Sequence, residues 1–302
     1  MTSRRTLTLC AIVVWTAVAV TAAPRALSLR HAIPVPSRAT TDYPVQDCSD
    51  LHPRFDHRDT VTDSEEQTIT KSQAGTLRVY AESNGGIYVQ GWDKDAYSVT
   101  LCKAAEAGSD ARSILSQIHL SFNNGELRVS GPNSTEPWSA HLIINAPKAS
   151  ALDLQINNGP MTLYHVDGNL KVSAENGPVT VTGCTGQLAL SSHNGPVTLK
   201  ENGGQQSVHS ENGPLTVSLS GQSWDGSGLE AHSTNGPVTL RVPEGFKSGV
   251  ILESDGYGPF RCTASVCSEG RKTWDDDHKR VEFGSGPTVV RVSTVNGPVS
   301  VD

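Results

Sequence analysis

From Thr68 onward, apolar residues recur at every second position in short runs, the pattern of half-buried strands. Leu77, Val79 and Ala81 alternate with polar residues up to a turn at Asn84-Gly85-Gly86, and Ile87 and Val89 alternate again before Gly91-Trp92-Asp93. Further strands are predicted at Tyr97 to Leu101, Ile118 to Phe122, Glu126 to Ser130 and His141 to Asn145. Between them Ala111, Ile114, Leu115 and Ile118 fall at helical spacing, with Ser109 or Asp110 placed to cap the start. One short helix is therefore expected in this N-terminal part.

Past residue 150 the alternation acquires a second, longer period. Asn-Gly-Pro followed by an apolar residue and Thr or Ser begins at Asn158, Asn176, Asn194, Asn212, Asn235 and Asn296, at intervals of 18, 18, 18, 23 and 61. Three residues after each Asn stand Met161, Val179, Val197, Leu215, Val238 and Val299; five after stand Leu163, Val181, Leu199, Val217, Leu240 and Val301. Thr or Ser always lies between them, so one face of each strand is aliphatic and the other hydroxylated. A second strand precedes each Asn, with Leu152, Leu170, Leu188, Gln206, Leu229 and Val290 in one column and Leu154, Val172, Leu190, Val208, Ala231 and Val292 in another. Gln206 alone breaks the apolar rule. Gly168, Gly186 and Gly204 mark a second corner, again 18 residues apart.

Two short strands and two corners per 18 residues predict an all-β, single-domain parallel β-helix or solenoid, in which like columns stack because one coil cannot bury its own apolar face. Repeated Asn can form an amide ladder, Gly can adopt positive φ, and Pro can open a strand whose N–H is dispensable. Asn-Gly is also a hairpin signal, so an antiparallel hairpin array is the competing fold; Pro directly after Gly opposes it by removing a donor. The 23-residue interval places an insertion near Gly221 to Gly228, with Trp224 on a protruding loop. Beyond Leu252 the period loosens, and NGPVSVD then restores it. The strand ending at Val301 lies either inside the stack or at an uncovered edge, and an uncovered edge would favour self-association.

Domain limits follow from where these patterns stop. Residues 1–23, with Arg4 and Arg5 before an apolar run, read as a signal peptide or an uncleaved N-terminal anchor. Residues 24–67, rich in Pro, Arg, Ser, Thr and Asp, read as a flexible linker, and 68–302 as the solenoid domain. Either fate of the first segment places the rest outside the cytoplasm: periplasmic, at the cell surface or secreted. Any contact with a membrane is then expected only through that segment, if it is not cleaved. A net charge of -7 without a Lys/Arg cluster excludes a sequence-independent nucleic-acid binder.

With Cys10 in the targeting segment, five cysteines remain in a disulfide-permissive compartment. Cys262 and Cys267 form the expected local bridge, with a metal site as the rival reading, and Cys48 with Cys102 is a second pairing. Cys184, in the column of Val166 and Asn202, is left as a small buried thiol.

Candidate chemistry is sparse. The column before the repeat Asn stacks Glu175, His193 and Glu211, which could bind a divalent cation or move a proton, but one edge of side chains supplies no enclosing geometry. Asp275-Asp276-Asp277-His278 lacks the Gly and distal Glu of a calcium loop. Trp92, Trp138 and Trp224 could stack on sugar rings, with Trp224 the foremost candidate ligand contact. No nucleophile motif is present, and no catalytic residue, cofactor site or metal site is assigned.

The stretches NGGIYVQGWDKDAYSV (Asn84 to Val99), HLIINAPKASALDLQINNG (His141 to Gly159), the NGPVT array and VSTVNGPVSVD resemble a family of bacterial putative adhesin domains of unknown function. The fixed Pro after Asn-Gly departs from that family and should stiffen the corners. The resemblance implies an exported β-solenoid in the cell envelope or at the surface, with a non-enzymatic binding or scaffolding role and no catalytic residues. Its expected partners are an envelope or surface polymer or protein, or copies of itself through the solenoid ends. The competing function is a polysaccharide-active lyase or hydrolase, which needs acidic and basic residues gathered on one face.

Overall fold

The computed structural model describes residues 45–55, 59–133, 137–256, 258–275 and 278–302. The expected targeting segment and the first part of the expected linker lie outside these residues. The chain is all-β apart from short helices. Its first part runs through β1 (Thr60–Thr70), β2 (Leu77–Asn84), β3 (Ile87–Trp92), β4 (Ala96–Glu106), α1 (Ala111–Leu115), β5 (His119–Asn123), β6 (Glu126–Ser130) and β7 (Trp138–Pro147). The helix buries Ala111, Ile114 and Leu115; Asp110 is its N-cap residue but makes no side-chain capping bond.

The linker boundary at 67 needs correction. Cys48–Asp50 forms a 3-10 turn capped by Asp47, Cys48 is disulfide-bonded to Cys102, and β1 pairs antiparallel with β4 from Thr60 to Thr70. The strand escapes sequence reading because it is polar on both faces, as an edge strand can be. Even its core-facing row carries Glu65, opposite Leu101 and bound to Lys103 at 3.0 Å.

Each repeat then contributes two strands: β8 (Ala151–Asn158) and β9 (Met161–Tyr164), β10 (Asn169–Asn176) and β11 (Val179–Thr182), β12 (Gln187–Asn194) and β13 (Val197–Lys200), β14 (Gln205–Asn212) and β15 (Leu215–Ser218), β16 (Gly228–Asn235) and β17 (Val238–Arg241). The first strand of each pair enters one sheet and the second enters another. Neighbouring repeats pair in parallel and in register, Leu170 beside Leu188 and Val179 beside Val197. Parallel pairing excludes the hairpin array.

The aliphatic columns face inward as one continuous core, and Met161, Val179, Val197 and Leu215 are fully buried. Each such side chain removed from water contributes about 1.5–3 kcal/mol. Gln206, 2% exposed, is tolerated in its leucine column because Nε2 donates to the carbonyls of Gly203 (2.8 Å) and Cys184 (3.1 Å). The repeat Asn side chains form an unbroken ladder, Nδ2 of each donating to Oδ1 of the one before at 3.0–3.3 Å from Asn176 to Asn296.

The adjacent glycine has φ near +136° at Gly159 and Gly177, +135° at Gly195 and +141° at Gly213. A second constraint spans all six copies: a Cβ there would collide with the carbonyl oxygen of the corner glycine in the neighbouring level. The invariance of this Gly therefore comes from close backbone approach as much as from φ.

The chain ends with β18 (Gly249–Ser254), β19 (Phe260–Cys262), α2 (Val266–Glu269), β20 (Arg271–Trp274), β21 (Lys279–Phe283), β22 (Thr288–Asn296) and β23 (Val299–Val301). One sheet has the order β1-β4-β7-β3-β9-β11-β13-β15-β17-β23-β19, and the other β20-β21-β18-β22-β16-β14-β12-β10-β8-β2-β6-β5. The last repeat thus lies inside both sheets, β22 between β16 and β18 and β23 between β17 and β19. The strand ending at Val301 is not an uncovered edge, because the segment inserted before it supplies the next level.

Candidate functional site

The regular repeats present one uniform outward column, Thr162, Thr180, Thr198, Thr216 and Thr239, all half-buried at the same offset, while the outward columns of the other sheet vary, as in Asp153, Lys171, Ala189, Ser207 and Glu230. A concave surface arises where the period fails. After β17 the chain turns through residues 242–248, builds β18 and β19, crosses α2 and returns along β20 and β21. The 242–248 turn, the start of β18, α2, the start of β20 and the end of β21 line a cleft of about 960 Å³, within the size range of small-ligand sites. Buried Phe246, Phe283 and Val250 lie along it, with Glu244, Lys247, Glu269, Arg271 and Glu282 as its charged lining. Gly245, Gly270, Gly284 and Gly286, none of them buried, also line it. Both charge signs, apolar side chains and unburied glycines suit a ligand rich in hydroxyl or amide groups.

Local bonds hold this wall in place. Cys262 and Cys267 are disulfide-bonded, tying β19 to α2. The Thr263 hydroxyl donates to the Val301 carbonyl at 3.0 Å, fastening the same segment to β23. Glu282 accepts from Arg280 Nε, and Arg280 also reaches Glu253, both at 2.5 Å; these carboxylates, Glu282 foremost, hold the guanidinium pKa above its usual value. Lys247 Nζ donates to Gln222 Oε1 at 3.3 Å, joining the cleft to the inserted loop.

Trp224 does not protrude. Its backbone N–H donates to Ser248 Oγ and its indole Nε1–H to the Gly204 carbonyl, both at 3.0 Å, and the half-buried ring packs against the core. The inserted loop folds back across the Gly204 corner, where the indole satisfies a carbonyl, so Trp224 is a packing residue. Trp92 is likewise engaged, Nε1 donating to the Ala96 carbonyl at 2.7 Å, and Trp138 packs against Gly131. Among the described residues the large exposed apolar side chain is Trp274, 50% accessible, with its ring 5.5 Å from that of Phe260.

His193 and Glu211 are in contact through Nδ1 and Oε2, but among the described residues no group of three His, Cys, Asp or Glu side chains converges on a metal-sized site. His278 donates its backbone N–H to Asp275 and meets Asp255 through Nδ1, each at 2.7 Å. Cys184 is fully buried, and burial pushes its thiol up to about 12, so it is inert as a nucleophile.

Two features carried no sequence signal strong enough to single them out. His209 and His232, in register on β14 and β16, stack with ring centroids 5.5 Å apart, and His232 Nδ1 lies 2.9 Å from Ser293 Oγ. The shared offset before the repeat Asn could have revealed this pair. Ser192, Ser210 and Ser233, buried to within 1%, occupy an inward column that reads as polar in sequence.

No protein-family model matches the chain, and no curated protein matches it. Solved bacterial structures are similar to it over most of their length. A "putative cell adhesion protein" from Clostridium sporogenes matches with TM-score 0.36 and 11% identity, covering 80% of this chain and 99% of that one. A "putative adhesin" from Parabacteroides merdae matches with TM-score 0.33 and 10% identity, covering 79% and 96%. A "putative lipid binding protein" from Parabacteroides distasonis matches with TM-score 0.30 and 11% identity, covering 80% and 96%.

Proposed function

We propose that the stacked repeats form one β-solenoid whose task is adhesin-like: an exported, non-enzymatic protein that binds an envelope or surface polymer or protein. The observation that carries the reading is the placement of the 960 Å³ cleft in an aperiodic segment that follows directly on the regular levels of residues 151–241. A departure from the period gives a repeat scaffold a concave surface that its regular levels do not share. The mixed lining of Lys247, Glu269, Phe246 and unburied glycines favours a neutral or mixed-charge polymer, such as a glycan segment, over a strongly anionic one. The export assignment rests on the segment 1–23; among the described residues no helix is long and apolar enough to cross a membrane.

A glycan-array screen of the purified chain tests the reading, with Lys247→Ala and Glu269→Ala expected to lose the signal while the far-UV spectrum is unchanged. A reducing-end assay on the same glycans separates binding from cleavage. New sugar ends that grow with time would replace the binding role by the polysaccharide-active one.

A further inference from the structure

The two ends of the sheets are finished differently. At the first, β1 turns Glu65 into the core row and pairs it with Lys103, an inward charge of the kind that discourages further strand addition. At the other, β20 is a terminal strand exposed along all four residues. Its Trp274 continues a core row, through Lys279 on β21 and Ser254 on β18 to the fully buried Thr294 on β22. Lys272 continues the row of Val281, Leu252 and Val292. Both therefore stand in core rows that no further level covers among the described residues.

We propose that the open edge of β20 binds the same edge of a second copy, forming a two-fold antiparallel dimer centred on Thr273. Strand parity limits the register to those centred on a residue, because residues opposite one another must share a face, and the charges choose among them. Centring on Lys272 would set two ammonium groups directly opposite each other. Centring on Thr273 sets Arg271 opposite Asp275 and Lys272 opposite Trp274, each twice by symmetry. The sequence Arg-Lys-Thr-Trp-Asp is thus complementary to its own reverse, pairing ion with counter-ion on one face and cation with indole on the other. Among the described residues neither Arg271 nor Lys272 forms an ion pair. Asp275 Oδ1 accepts from the His278 N–H, and a carboxylate can accept further bonds. So short a strand makes a small contact, so the dimer is transient, with a dissociation constant on the order of micromolar or weaker.

Sedimentation equilibrium of the purified chain over a wide concentration range reads the equilibrium directly. Wild type should fit a monomer–dimer model. Asp275→Arg alone and Arg271→Asp alone should each weaken it by roughly tenfold, since each makes two like-charge oppositions. The double swap Arg271→Asp/Asp275→Arg should restore it, and Trp274→Ser should weaken it at any salt concentration. A chain that stays monomeric throughout, a dimer unmoved by either single swap, or a double swap no tighter than the singles would overturn the proposal. The glycan screen with Lys247→Ala is scored separately, so a monomer that still binds glycan removes the dimer and leaves the binding function standing.

Discussion

Gly195→Ala tests the close-approach argument at the repeat corner. The new methyl group needs space held by the Gly177 carbonyl oxygen, and Ala must also accept a φ of +135°. The corner cannot simply spread. Across that seam Gly177 N–H donates to the Asn194 carbonyl and Val179 N–H to the Pro196 carbonyl, both at 2.9 Å, while the amide ladder binds Asn194 to Asn176. Parting the levels weakens two backbone bonds worth about 1 kcal/mol each, and the backbone strain adds about 1–3 kcal/mol. The expected loss is on the order of 3–5 kcal/mol, a large share of the stability of an ordinary domain. Gly221→Ala isolates the conformational part: its φ is +65°, nothing lies within 4 Å of the added carbon, and about 1–2 kcal/mol is expected. Urea unfolding followed by far-UV circular dichroism, with tryptophan fluorescence to test coincidence of the transitions, gives both values. If Gly195→Ala costs no more than Gly221→Ala, close approach is not what keeps glycine at these corners.

Three further outcomes follow from the same structure. Cys184 should resist aromatic disulfide reagents in the native chain at pH 8 and react stoichiometrically in denaturant, because its thiol is buried and raised to about 12; rapid native labelling would contradict that burial. His232 is lowered by burial and then by His209, and His141 by burial, so below about pH 6.5 the unfolded chain takes up protons that the folded chain refuses. This contribution to stability is present in full above that pH and is lost as pH falls toward the folded values; the urea midpoint of the His141→Phe variant should fall less steeply than that of wild type, and an equal slope would contradict the assignment. Leu190→Ala, at a 3% exposed core position beside Val172 and Val208, should cost about 2–5 kcal/mol by calorimetry or urea unfolding, and a loss below 1 kcal/mol would contradict the inward placement of that column.

The periodic half of the molecule was readable because one physical requirement, burial against an identical neighbour, acts on every level. Met161, Val179 and Val197 must be apolar for the same reason, so their column announces itself. β1 was hidden by the opposite circumstance, since Val61 and Ile69 are separated by polar residues on both faces of an edge strand. The cleft was bounded only coarsely: the loosening of the period beyond Leu252 marks the region, but the facing of Phe246 and Phe283 depends on sheet order, which chain order does not encode. Trp224, expected to project, packs instead, and Trp274, which no pattern in the sequence singles out, projects, for a similar reason. Whether an indole packs or projects depends on a carbonyl such as that of Gly204, distant in sequence and adjacent in space.

The interior position of β22 and β23 also sets an order of events. Residues 249–283 are synthesised before 288–301, yet β18 and β19 meet the rest of their sheets only through β22 and β23. The cleft wall and the β20 edge can therefore dock only after the later strands emerge and enter the gap beside β16 and β17. Until then the ordered stack ends at the fifth repeat, and β18, β21 and β20, paired among themselves, have no level to join.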